Sequence, residues 1–248
     1  MLSKATIKDI QSLQHKKFRD ETNSFTAEGP KVVKELLLDG GFNCKMVYAL
    51  QKWIENTDQG ILDLLNDKLQ VIEEFELEKI ASYSTPNGVL AIFEKRNFNA
   101  AFGIKNECTL VLDAIQDPGN MGTIIRTADW FGIKNIVCSL NTVDIYNSKV
   151  VQSTMASLAR VNVIYTDLES WLKNNHQVKI LATTLSGSPL KNFKGLKESI
   201  VLIGNEANGL SEELMQLADE KITIPKFGGA ESLNAAVATA IVLYELRS

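Results

Sequence analysis

Six short apolar runs in the second half of the chain constrain its architecture more than any other feature. They are ECTLVLDAI, NIVCSL, VNVIYT, VKILATTL, SIVLIG and KITIPK. Each is continuous rather than alternating, the pattern of a parallel sheet covered on both faces. Between the first two runs, GNMGTIIRTADWFG reads as a glycine-bounded turn entering a helix, and KVVQSTMASLARV supplies another helix. The last stretch, SLNAAVATAIVLYELRS, is dense in small apolar residues. It predicts a helix pressed closely against a sheet or a second subunit.

The first 95 residues form their own α/β pattern. Residues 3–20 carry Ile7, Ile10, Leu13 and Phe18 at helical spacing. Glu28-Gly29-Pro30 is a turn into a helix, with proline suited to the first turn and Gly40-Gly41 as the stop. CKMVYAL reads as a strand, residues 51–68 as a second helix and LQVIEEF as another short strand. LEKIASYSTPNGVLAIFEKR reads as helix, turn and strand. The expected organisation is therefore a small α/β domain over 1–95, a polar linker over 96–107 and a larger α/β domain over 108–248.

The start of the chain is polar and mixed in charge, and no apolar run reaches the roughly 20 residues that span a bilayer. Cys44, Cys108 and Cys138 are far apart and read as reduced thiols of a cytoplasmic protein. With two histidines in 248 residues, a histidine-based metal site is not expected. The net charge of −4 argues against a general nucleic-acid binder. Residues 1–34, however, hold seven basic side chains against four acidic ones, leaving room for a local basic patch.

Polar residues gather where core strands end, the place where open α/β sheets bind ligands. Asp117-Pro118-Gly119-Asn120 follows the first run and leads to Arg126. Asp117 there reads as a helix cap, and Asn120 and Arg126 as a grip for phosphate or ribose. Gly204-Asn205-Glu206 follows SIVLI and precedes Gly209-Leu210-Ser211, with Ser211 as the expected cap of the next helix. Ile224-Pro225 closes the last run, and Ser232-Leu233-Asn234 opens the final helix. Ser232 is the simplest cap there, which would leave Asn234 in the first turn, facing a ligand. The glycines do not form GxGxxG, so a nicotinamide site is not read.

Taken together and in order, the three segments resemble the motifs of the SpoU (TrmH-like) family of RNA 2′-O-ribose methyltransferases in the SPOUT superfamily. DPxNxGxxxRTAxxFG matches from Asp117 to Gly132, GxExxGLS from Gly204 to Ser211, and IPMxGxxxSLN from Ile224 to Asn234. Phe25-Thr26-Ala27-Glu28-Gly29 is similar to a phrase in the L30e-like accessory domain of many members. Gln152 stands where an arginine is usual, Ala156 where a glycine is usual, and Lys226 where methionine is common.

The resemblance implies an α/β-knot methyltransferase domain with a C-terminal trefoil knot, preceded by an L30e-like RNA substrate-binding domain. It implies S-adenosyl-L-methionine held by Thr183, Thr184, Leu202, Ile203, Gly204, Asn205, Glu206, Ile224, Pro225, Ser232, Leu233 and Asn234. It implies catalysis by Arg126 with Asn120, Glu206, Ser232 and Asn234, and no metal. Lys16, Lys17, Arg19, Glu28, Lys31 and Arg126 are the RNA-facing candidates. The implied activity is methylation of a ribose 2′-hydroxyl in structured RNA, ribosomal ahead of transfer RNA, by a homodimer. The competing reading is a catalytically inactive RNA-binding or ribosome-assembly protein on the same scaffold. S-adenosylhomocysteine binding separates a methyltransferase from an ordinary dehydrogenase.

Overall fold

The apolar runs of the second half form one parallel sheet. A computed structural model describes the chain except Gly40, Ser84, Asn99 and Ala100. The expected stop at Gly40 and part of the expected linker therefore lie outside the described residues. Two units emerge, Met1–Asn97 with Asp144–Ala159, and Phe98–Val143 with Arg160–Ser248.

The first unit holds α1 (Lys4–Ser12), α2 (Lys16–Thr22), β1 (Ser24–Glu28), α3 (Pro30–Leu38), β2 (Cys44–Ala49), α4 (Gln51–Glu55), α5 (Gln59–Leu65), β3 (Leu69–Val71), α6 (Glu74–Ile80) and β4 (Val89–Glu94). From later in the chain it takes α8 (Ser148–Ser153). Its sheet runs β1-β4-β2-β3. Ile10, Tyr48, Ile72, Leu77, Ile80 and Leu90 pack as one core cluster.

Both long helices expected here are broken. Between α1 and α2, His15 turns extended at φ −97° and ψ 131°. The Arg19 guanidinium donates to the carbonyls of Leu13 and Gln14, each at 2.9 Å, and so satisfies the frayed end. Between α4 and α5, Asn56 Nδ2 and Thr57 Oγ1 donate to the Lys52 and Trp53 carbonyls, both at 2.7 Å. Side chains that compete for helical carbonyls stop the helix there. Strand β1 went unread because SFTAE is short and leads directly into the Gly29-Pro30 turn; although its residues alternate polar and apolar, all five are buried. Its polar Glu28 is 7% exposed and accepts from the Ser82 N–H at 2.8 Å. Burial pushes that carboxyl above its usual range.

Arg19 was expected to face RNA, and it does not. It is 2% exposed, and its Nε and Nη2 both donate to Asp144 Oδ2, at 3.0 and 2.6 Å. Removing one partner of a buried pair strands the other charge, at a cost of about 3–5 kcal/mol. We therefore expect Arg19→Ala to lower the urea midpoint of unfolding by a corresponding amount. A midpoint within error of wild type would show that Asp144 finds another partner.

The second unit contains β5 (Cys108–Leu112), α7 (Pro118–Trp130), β6 (Asn135–Cys138), β7 (Asn162–Tyr165), α9 (Leu168–Asn174), β8 (Ile180–Pro189), β9 (Ser199–Ile203), α10 (Glu212–Leu217), β10 (Glu220–Thr223) and α11 (Ala235–Arg247). The sheet order is β10-β8-β9-β5-β6-β7, with every pairing parallel. β5 and β9 are buried at all five positions. Successive connections leave β5 for β6 on one side, while β9 lies on the other. The C-terminal ends of β5 and β9 thus form a switch point, where a crevice opens in sheets of this kind.

β8 is longer than the apolar run suggested. Its Ala182 pairs with Lys221 and its Ser188 with Ile222, so residues 183–187 loop out between adjacent pairings. β10 ends at Thr223, two residues short of the expected Pro225. Among the described residues no helix is long and apolar enough to cross a membrane.

Candidate active site

The sequence builds the site from two helix starts and one strand end. α7 begins as expected: Asp117 Oδ1 accepts the Asn120 N–H at 2.7 Å and Pro118 follows. Met121, Ile124, Ile125 and Ala128 bury one face, leaving Asn120 half-buried at the opening turn. α11 begins differently from expectation. Its cap is Asn234 rather than Ser232: Asn234 Oδ1 accepts from the Ala236 and Val237 N–H groups at 3.0 and 3.3 Å. Ser232 stays exposed. Ser211 occupies the cap position of α10 without a side-chain cap bond. Its N–H instead donates to Asp113 Oδ2 at 3.0 Å.

These starts meet across the strand end. Asn234 Nδ2 donates to Asn120 Oδ1 at 2.8 Å, and Asn120 Nδ2 donates to the Glu206 carboxylate. A row of polar side chains thus joins the loop after β9 to the first turns of α7 and α11. Asn120 uses both ends of its amide, so neither neighbour can rotate without unpairing it.

Beside this row lies a cavity of about 760 Å³. Thr183, Thr184, Ile203, Gly204, Asn205, Glu206, Ile224, Pro225, Ser232 and Leu233 line it. Leu202 does not: it is fully buried in the core, and only its carbonyl is used, accepting from Thr183 Oγ1 at 2.7 Å. Asn234 is also off the wall, held in the polar row. Ile222, at the start of the loop expected to hold the cofactor, lines the apolar back of the cavity, and the sequence reading missed Leu210, Met215 and Val242 beside it. The inward face of α11 was the available signal, since Ala238 and Val242 recur there at helical spacing.

Arg126 stands apart. It is exposed on α7, is not among the cavity residues, and makes no ion pair with a described residue. Lys16, Lys17 and Lys31 are exposed on the first unit, whereas Arg19 and Glu28 are buried there. Gln152 Oε1, at the position where arginine is usual in the family, is buried without a hydrogen-bond partner among the described residues. All three cysteines are buried and unbridged. Among the described residues no group of three His, Cys, Asp or Glu side chains is placed to hold a metal.

Comparison with known proteins fits this geometry. Residues 107–244 match the model of the SpoU rRNA Methylase family. The chain belongs to the SpoU family. Residues 4–91 match the MRM3-like substrate binding domain. Among its SpoU relatives is the 23S rRNA (guanosine(2553)-2′-O)-methyltransferase RlmP of Bacillus subtilis, 31% identical over 97% of this chain and 95% of RlmP. The AdoMet-bound rRNA methyltransferase from Sinorhizobium meliloti superposes with a TM-score of 0.86 at 32% identity, covering 100% of this chain and 95% of that one. A putative TrmH-family RNA methyltransferase from Porphyromonas gingivalis superposes with a TM-score of 0.85, also at 32% identity, over 100% and 98% of the two chains.

Proposed function

We propose that this SpoU protein transfers a methyl group from S-adenosyl-L-methionine to a ribose 2′-hydroxyl of ribosomal RNA. The observation that carries the reading is the cavity at the switch point with the Glu206–Asn120–Asn234 row along its edge. Its size falls within the roughly 300–1,000 Å³ typical of cofactor sites. Ile203, Ile222, Ile224 and Leu233 offer apolar walls to an adenine, and the ends of β9 and β10 offer backbone polar groups. Glu206 places a carboxylate beside the space where a sulfonium cation would sit. Relatives that act on 23S rRNA support the substrate class.

Bound S-adenosylmethionine supplies the methyl group already activated on sulfur. The protein's tasks are to align the ribose oxygen and to manage its proton. In this reading Asn120 and Asn234 hold Glu206 and the ribose in register, and Ser232 orders the cofactor end. Arg126 binds an RNA phosphate and assists loss of the hydroxyl proton. Arginine keeps its own proton, so its charge acts by stabilising the oxyanion that develops as that proton leaves.

Arg126 lies outside the cavity, which supports a homodimer in which it serves the neighbouring subunit's site. α11 packs on α7 and exposes Val237, Ile241 and Tyr244 along one face, a surface for a second copy. The reading extends to a trefoil knot in the C-terminal part and to the division at 1–95, 96–107 and 108–248. The L30e-like first domain would recruit RNA through Lys16, Lys17 and Lys31. Buried, unbridged cysteines fit a cytoplasmic enzyme.

The test is methyl transfer from tritiated S-adenosylmethionine to ribosomal and transfer RNA from a strain lacking the protein, offered separately and as ribosomal assembly intermediates. Label recovered as a 2′-O-methyl nucleoside from ribosomal material is the expected result. S-adenosylhomocysteine binding without label in any pool would favour the inactive RNA-binding reading.

A further inference from the structure

The motif GxExxGLS leaves position 205 open, and the resemblance gave Asn205 only a general part in cofactor binding. We infer that Asn205 is a positioning residue, a brace whose side-chain amide ties the end of β9 to the end of β5 and so fixes Glu206 beside Asn120. The inference rests on the methyltransferase reading above for the function of that placement.

Asn205 Nδ2 donates to the Ala114 carbonyl at 2.8 Å. Its Oδ1 turns the other way and accepts the Ala207 and Asn208 N–H groups at 2.8 and 3.3 Å. Its backbone exchanges two hydrogen bonds with Gly209, at 3.0 and 2.8 Å. The loop is thereby closed on itself, and the Asn205 side chain fastens it to Ala114.

Ala114 is strained. It sits at φ +54°, in the left-handed region that an alanine enters only at a cost. Both its peptide groups are held: its N–H donates to Ser139 Oγ at 2.8 Å, and its carbonyl receives Asn205. Strained backbone persists where neighbours over-determine it. The adjoining residues on either side, Asp113 and Glu206, each bind across the same gap: Asp113 takes the Ser211 N–H and Glu206 takes Asn120.

Asparagine suits this place because one short side chain must donate forward and accept backward at once. Aspartate keeps the acceptor and loses the donor unless it is protonated, so Asn205→Asp isolates the single bond to Ala114. A carboxyl that must hold its proton to close the loop has a raised pKa in the closed state. Closure is then favoured at low pH and is lost as pH rises through that value. Asp113 just after β5 and Glu206 in the loop also bind across this gap, and the Asp117 carboxylate caps α7 nearby in sequence. Wild type measured at the same pH values corrects for them.

The experiment compares wild type, Asn205→Asp and Asn205→Ala at about pH 8 and about pH 4, the lower value lying below an aspartate carboxyl raised by about one unit from its free value of about 3.9. Hydrogen exchange reads protection of the Gly209 amide, and calorimetry reads S-adenosylhomocysteine affinity. We expect the aspartate variant to lose Gly209 protection and to bind roughly tenfold more weakly at the higher pH, recovering both at the lower one. The alanine variant should lose both at either pH. Equal protection of Gly209 in the aspartate variant at both pH values would overturn the brace. A wild type with normal protection but no ligand binding would instead overturn the methyltransferase reading, while the exchange data would still decide the brace.

Discussion

Replacing Arg126 with alanine is expected to cut methyl transfer by about 10²–10³-fold, the usual loss when one donor to a developing oxyanion is removed. Affinity for S-adenosylhomocysteine should stay at the wild-type level, because Arg126 is exposed on α7 and does not line the cavity. Folding should also be unaffected, since the side chain pairs with no described acidic residue. Loss of activity with intact ligand binding would thus locate the residue on the RNA side of the reaction. Wild-type turnover in the variant would remove Arg126 from the mechanism. A mixing experiment sharpens the result. If Arg126 serves the partner's site, a dimer joining this variant to a pocket-defective chain has one complete site, and random mixing restores about a quarter of wild-type activity. Strictly intrachain sites would restore nothing.

The second large effect is expected at Gly204. A Cβ added there would lie 2.3 Å from the Gly209 carbonyl carbon and 2.5 Å from the Leu210 nitrogen. Both are backbone atoms, so no rotamer relieves the contact. The loop after β9 must move away, and with it Glu206 and part of the cavity wall. Gly204→Ala should lose S-adenosylhomocysteine binding by about a hundredfold or more, while overpacking costs about 1–3 kcal/mol of stability. Gly209→Ala is the instructive control. Gly209 sits at φ +69° with nothing within 4 Å of an added Cβ. It should cost only about 1–2 kcal/mol of conformational strain and leave binding measurable. Calorimetry on the two variants distinguishes lack of space from lack of conformational freedom. Similar binding in both would mean that the loop tolerates displacement.

The strands of the second unit were legible because burial on both faces leaves a continuous apolar run, and the run for β5 or β9 has no other reading. The polar segments were legible as a set, through family motifs, and much less so singly. Ser232 and Asn234 are both good caps two residues apart, and local sequence does not choose between them. Asn120 chooses, by taking the free end of the Asn234 amide from a point distant in sequence. Arg19 illustrates the opposite failure. Composition placed it with Lys16 and Lys17 in a basic patch, but its partner Asp144 lies 125 residues away. The looped-out stretch at 183–187 was hidden for the same reason, since only β10 reveals that Ala182 and Ser188 are neighbours in pairing. What remained unread was set by contacts between distant parts of the chain.

The position of β9 bears on how the chain reaches this state. β5 pairs with β6 on one side and β9 on the other, and Cys108 of β5 stands opposite Ser199 of β9. A folding chain forms the β5–β6–β7 part from near neighbours, but it must bring a distant strand to the other flank of β5. Pairings so far apart in sequence form late, because the intervening chain resists closure. Until then, β5 is an open edge with apolar residues on both faces, the sort of template that recruits other chains. The strand end that completes the cavity is therefore also the one that seals the sheet. Conditions that delay its arrival should show first as aggregation, before any folded but inactive species accumulates.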